Sequence, residues 1–102
     1  MIRISGYIFG LLLIPMASLG EQIDRVQNKV FLFTQTYCPS CIHIKQYMNE
    51  KNISFTELDI ETNPQALKAF QRINGRGTPL LVINKQIRYG FDPAFIQENL
   101  YK

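Results

Sequence analysis

The sequence has 102 residues, which is enough for one small domain. Eleven Lys and Arg residues against eight Asp and Glu give a formal net charge of +3 at pH 7, and these charges are scattered singly along the chain. A nucleic-acid-binding domain usually gathers its basic residues on one face, so we expect no nucleic-acid partner.

Residues 1–20 differ in composition from the rest of the chain. They carry one charged side chain, Arg3, followed by a short apolar run, a proline and small residues. This order is typical of a secretory signal peptide, so we expect cleavage before Glu21 and an exported domain, periplasmic or secreted, over residues 21–102. The alternative is a membrane anchor, because residues 4–20 are uncharged and just long enough to span a bilayer.

The first predicted elements are a strand, a helix and a second strand. The apolar, β-favouring run 30–34 predicts a buried central strand. Pro39 suits the first turn of a helix, where a backbone N–H would be unpaired anyway, and apolar side chains at helical spacing continue from Cys41 to about Lys51. Residues 53–60 predict the second strand.

A second helix is predicted next. Asn63 and Pro64 are typical of a helix N-cap and its first helical position. We expect the helix to end at Asn74 and Gly75, with the glycine in the left-handed cap conformation. Its apolar stripe consists of Leu67, Phe70 and Ile73.

The last part of the chain predicts a hairpin and a third helix. Residues 79–83 and 86–89 are short strands around a tight turn at 84–85, so they should pair antiparallel. Asp92 is the expected cap of the final helix and Pro93 its first residue. The order β-α-β-α-β-β-α predicts an α/β fold, in which a four-stranded mixed sheet carries helices on both faces and its first two strands are parallel.

Cys38 and Cys41 are separated by two residues, and such a pair has three interpretations. As a structural disulfide it closes a very short loop and would stabilise the fold by only about 2 kcal/mol. As part of a metal site it lacks ligands, because zinc needs four and His43 is the only other good candidate, although a metal shared between two chains stays open.

The third interpretation is redox chemistry, and it follows from the place of the pair at the start of a helix. Unpaired N–H groups and the helix dipole favour a thiolate there, so we predict that the pKa of the Cys38 thiol is lowered and that Cys38 attacks substrate disulfides. Cys41, one turn further on, should be more buried and should resolve the mixed disulfide. His43 and Lys45 are expected to be ordinary surface residues of this helix.

Three segments in this order resemble the glutaredoxin branch of the thioredoxin superfamily over residues 29–101. They are Tyr37-Cys38-Pro39-Ser40-Cys41, Thr78-Pro79 and Gly90-Phe91-Asp92. The resemblance implies a thioredoxin-like, glutaredoxin-type fold and a thiol–disulfide oxidoreductase without a resident cofactor.

The resemblance also implies substrate-binding residues outside the cysteine pair. The family's proline at the position of Pro79 is cis, and the residue before it, here Thr78, offers its backbone to an extended substrate. Phe91 and Asp92 match the family's turn that holds the carboxylate of glutathione at a helix N-terminus. Tyr37, beside Cys38, is expected to flank the substrate groove.

Three positions depart from the family pattern. Gln35 stands where many glutaredoxins carry a lysine, Tyr89 replaces the first glycine of the turn, and Phe91 replaces a small residue. We expect Arg76, just before Gly-Thr-Pro, to supply the missing positive charge. The expected partners of a monomeric protein are protein or low-molecular-weight disulfides, glutathione as a co-substrate, and a redox partner protein.

Two other functions stay open from the sequence. One is a thioredoxin-fold binding module that holds a metal or an iron–sulfur cluster through Cys38 and a partner. The other is a non-catalytic fold whose disulfide only closes a loop, which would resist reduction.

Overall fold

The computed structural model describes residues 26–102. The expected signal peptide over residues 1–20 and the expected cleavage before Glu21 lie outside the described residues. Within residues 26–102, no helix combines the length and the apolar character that crossing a membrane requires.

The described residues form four strands and three helices in the predicted order. They are β1 (Val30–Thr34), α1 (Pro39–Glu50), β2 (Thr56–Asp59), α2 (Pro64–Arg72), β3 (Leu80–Ile83), β4 (Gln86–Tyr89) and α3 (Pro93–Asn99). The strands form one sheet in the order β2-β1-β3-β4. Strand β1 pairs in parallel with β2 and antiparallel with β3, and β3 pairs antiparallel with β4. The predicted α/β fold with a mixed sheet is confirmed.

Two apolar clusters lie on opposite faces of the sheet, because side chains alternate along each strand. On one face, α1 and α3 pack against β1 and β3. On the other face, Phe70 of α2 packs against Phe33 and Leu80. This arrangement buries β1 on both sides, as its continuous apolar sequence predicts, and fixes the end of β1 that leads to Cys38.

The second strand is shorter than the predicted range 53–60. It begins at Thr56, because the two residues at the start of the predicted range use their N–H groups elsewhere. The N–H of Ile53 donates to the carbonyl of Met48 at the end of α1, at 2.8 Å. The N–H of Ser54 donates to the side-chain oxygen of Gln27 at 3.2 Å.

The buried face of α2 differs from the predicted stripe. Phe70 is buried as predicted, but its buried neighbour on the helix is Ala66, one turn earlier. Leu67 is 37% exposed, and Ile73 is 36% exposed because the helix has already ended at Arg72. Spacing alone did not separate two apolar residues that are adjacent in sequence but about 100° apart around the helix.

The residue in the left-handed conformation after α2 is Asn74, with φ 57°, and not Gly75 as predicted. Asparagine is among the few residues other than glycine that adopt this conformation readily. Gly75 has a different role, because a Cβ there would lie 2.5 Å from the Phe70 ring. The absence of a side chain at Gly75 therefore allows the backbone to pass close to the Phe70 ring of α2.

Candidate active site

The cysteine pair lies at the start of α1, directly after the loop that leaves β1. Cys38 is the N-cap residue, and Pro39 follows at the first helical position. The Sγ atom of Cys38 accepts a hydrogen bond from the backbone N–H of Cys41 at 3.1 Å. One of the N–H groups left unpaired at this helix start, that of Cys41, is therefore directed at the Cys38 sulfur, which is an arrangement that favours a thiolate in the reduced protein.

The two sulfur atoms are joined in a disulfide, with an S–S distance of 2.02 Å and a Cα–Cα distance of 5.2 Å. Cys38 is 9% exposed and Cys41 only 2%. The predicted difference in burial is confirmed, and Cys38 is the more accessible residue of the pair.

An open cavity of about 400 Å³ lies beside Cys38. Its lining residues are Gln35, Tyr37, Cys38, Pro39, Ser40, Arg76, Gly77 and Thr78. We call it the active-site cavity. Three of the predicted substrate-binding residues, Tyr37, Arg76 and Thr78, are brought together with Cys38, although Arg76 is 38 positions away in the sequence.

The loop before Cys38 holds Tyr37 in an unusual conformation. Tyr37 is 97% exposed and has φ 57°, a left-handed conformation that is uncommon for an aromatic residue and is often found at functional sites. The preceding N–H, that of Thr36, donates to the Glu61 carboxylate at 2.6 Å. Hydrogen bonds from Thr36 lower the pKa of the Glu61 carboxyl from its usual value, because they favour its ionised form.

The opposite wall of the cavity ends in the Thr78–Pro79 peptide bond, which is cis as the resemblance implied. The carbonyl of Pro79 accepts a hydrogen bond from the Gly90 N–H at 3.0 Å. Among residues 26–102, no protein group is hydrogen-bonded to the backbone N–H or carbonyl of Thr78. These two groups remain available to a bound molecule.

Phe91 and Asp92 lie beyond Gly90, and neither lines the active-site cavity. Asp92 caps α3, where its carboxylate accepts from the Phe95 N–H at 3.2 Å and forms an ion pair with Arg88 at 3.6 Å. The Phe91 ring is 39% exposed and contacts the Tyr47 ring edge-on, with the ring centres 5.5 Å apart.

The sequence did not predict the contacts that Glu61 and Tyr89 make at the site. Glu61 carried no signal, because it is one exposed acid among several near the end of β2. Tyr89 was noted only as a departure from the family pattern, yet its hydroxyl accepts the backbone N–H of Arg76 at 3.2 Å. Both residues hold loops that line the cavity.

Lys45, expected to be an ordinary surface residue, is partly exposed and forms an ion pair. Its ammonium group lies 3.1 Å from the Glu57 carboxylate, and the same oxygen accepts from the buried Thr34 hydroxyl at 2.9 Å. His43 is exposed, as expected. In the part of the chain from residue 26 onwards, no three His, Cys, Asp or Glu residues are grouped so that they could hold a metal ion.

Comparison with known proteins identifies the family. Residues 30–88 match the family model for glutaredoxins. A probable glutaredoxin, slr1562 of Synechocystis sp. (strain ATCC 27184 / PCC 6803 / Kazusa), is 34% identical over 84 residues, which cover 80% of this chain and 76% of that protein.

Solved structures agree on the fold. The thioredoxin-like protein BC3987 aligns with a TM-score of 0.63 and 25% identity, over 70% of this chain and 99% of that one. The glutaredoxin-like protein NrdH-redoxin from Escherichia coli aligns with a TM-score of 0.61 and 21% identity, over 69% of this chain and 92% of that one. Together with the Cys38–Cys41 pair, these similarities show that the chain belongs to the glutaredoxin family and is a thiol–disulfide oxidoreductase.

Proposed function

We propose that the chain acts, as a monomer, on disulfides in extended segments of protein substrates, with Cys38 as the attacking and Cys41 as the resolving residue. The observation that carries this proposal is the free backbone of Thr78 in the lining of the same cavity as Cys38. An extended peptide whose N–H and carbonyl groups pair with Thr78 would place a disulfide beside Cys38 by the geometry of an added strand.

The reaction balances within the dithiol. In the reduced protein the Cys38 thiolate attacks one sulfur of the substrate disulfide, and the other substrate sulfur leaves as a thiolate that takes up a proton. Cys41 then loses its proton and attacks the Cys38 sulfur, which releases the second substrate thiol. Two electrons have passed to the substrate, and the Cys38–Cys41 disulfide is the state in the structure.

Glutathione is proposed as a secondary co-substrate, since the family uses it. Among the residues that line the active-site cavity, Arg76 is the one with a positively charged side chain, while Gln35 is neutral. Glutathione carries two carboxylates, and the cavity lining supplies one positive charge to balance them. An uncharged extended peptide needs no positive charge in the cavity to bind.

This proposal predicts a substrate preference. The pre-reduced protein should reduce a peptide disulfide flanked by uncharged extended residues with a higher second-order rate constant than glutathione disulfide. Both rates are measured by following oxidation of the Cys38–Cys41 pair. A higher rate constant for glutathione disulfide would contradict the preference for protein segments while leaving the oxidoreductase activity intact.

We also propose that the domain is exported and works with a redox partner protein that returns it to its starting redox state. The support is the signal-like composition of residues 1–20. Mass spectrometry of the native protein should then find an N-terminus near Glu21 in the exported fraction. An intact Met1 on protein from the cytosol would overturn this proposal, and an intact Met1 in the membrane fraction would favour the anchor instead.

A further inference from the structure

Tyr89 reaches from the edge strand β4 to the wall of the active-site cavity. Its backbone pairs with Leu80 at the start of β3. Its hydroxyl accepts the N–H of Arg76, 13 positions earlier in the chain. The next residue, Gly90, donates its N–H to the carbonyl of Pro79.

These contacts attach the cavity wall at both of its ends. Arg76 is attached through the Tyr89 hydroxyl, and Pro79 is attached through Gly90, with Gly77 and Thr78 between them. Gly77 has open space around its Cα, and the Thr78 backbone has no hydrogen-bond partner among the described residues. The hydroxyl of Tyr89 is therefore the side-chain contact that limits the movement of this otherwise unsupported segment.

We propose that Tyr89 is a positioning residue for substrate, whose hydroxyl holds residues 76–78 so that the Thr78 backbone and the Arg76 side chain face a bound peptide. The inference rests on the proposed function, because it assigns the cavity to an extended peptide substrate. The Tyr89 hydroxyl is hydrogen-bonded to the Arg76 N–H and not to either sulfur atom. We therefore expect it to affect substrate binding and not the reactivity of Cys38.

The test is Tyr89→Phe, which removes the hydroxyl and keeps a ring that is 47% exposed. Loss of one hydrogen bond should raise KM for a peptide disulfide about three- to tenfold, with kcat and the titration of the Cys38 thiol unchanged. Amide hydrogen exchange should show the Arg76 N–H exchanging faster by a similar factor, while the Gly90 N–H keeps its rate.

Gln27→Ala is the matched control. Gln27 also joins two separate segments through its side chain, with bonds of 2.8 and 3.2 Å to the backbone of Ser54. These bonds precede β1 and β2, at the end of the sheet opposite to Cys38. The control should lower stability without a change in KM or in the exchange of Arg76.

Four results are decisive. An unchanged Arg76 exchange rate, or a faster rate with an unchanged KM, in Tyr89→Phe would overturn the positioning role. An equal rise in KM in Gln27→Ala would reduce the effect to general loosening and would also overturn it. If the wild type does not reduce the peptide at all, the proposed function itself is wrong, and this result is distinct from the other three.

Discussion

Cys38→Ser is expected to reduce thiol–disulfide exchange to the background rate measured without the protein. A serine hydroxyl is not ionised near neutral pH, so the N–H of Cys41 that points at position 38 would face a neutral oxygen and not a thiolate. The remaining thiol, Cys41, is 2% exposed and cannot take over the attack on a substrate. The measurement is the rate of peptide-disulfide reduction by the pre-reduced variant.

The control for Cys38→Ser is Cys41→Ser, because both variants lack the covalent link between residues 38 and 41. Any loss of stability that comes from the missing disulfide is therefore shared by the two. Thermal unfolding monitored by circular dichroism establishes that both are folded. Formation of a mixed disulfide by folded Cys38→Ser as fast as by folded Cys41→Ser would show that the assignment of the attacking residue to Cys38 is wrong.

The elements and topology were predictable because their signals are local. Prolines at the first helical position follow an N-capping residue at Asn63 and Asp92, and the structure places each cap as predicted. Residues 84–85 form the tight turn, both with positive φ, and the flanking strands pair antiparallel. Such short patterns set where elements begin and end, and the order of elements then leaves few possible topologies.

Errors occurred where tertiary contacts decide between local alternatives. The start of β2 depends on the end of α1 and on Gln27, which take the N–H groups of Ile53 and Ser54. The role of Gly75 depends on the nearby Phe70 ring. The sequence around the affected residues contains no pattern that predicts these contacts.

The part of the site that lies at a helix start could be predicted from the sequence. The part that depends on side chains distant in the sequence could not. Cys38 at an N-cap could be predicted, because a strand, a proline and a helix follow one another there. The bonds Glu61–Thr36 and Tyr89–Arg76 join residues 25 and 13 positions apart, and no motif spacing encodes them. The resemblance implies that Phe91 and Asp92 bind substrate, and this stays a prediction. Within residues 26–102 their contacts are to Tyr47, Phe95 and Arg88.

Cys41→Ser is expected to stop turnover through the dithiol but to leave the first step intact. Cys38 keeps its place as the N-cap of α1, and the N–H of residue 41 remains available to stabilise the thiolate because the substitution changes only the side chain. Attack on a substrate disulfide then proceeds, but no thiol within the chain is left to resolve the product.

The expected product is a mixed disulfide between Cys38 and one half of the substrate, formed once per molecule of protein. Intact mass measurement after mixing with a peptide disulfide should show the mass of one peptide thiol added, and dithiothreitol should remove it. Cys38→Ser under the same conditions should show no such adduct, since its one remaining thiol, that of Cys41, is buried. Repeated turnover by Cys41→Ser without an added thiol would mean that Cys41 is not the resolving residue, because the two electrons would then have to come from a group other than the Cys38–Cys41 pair.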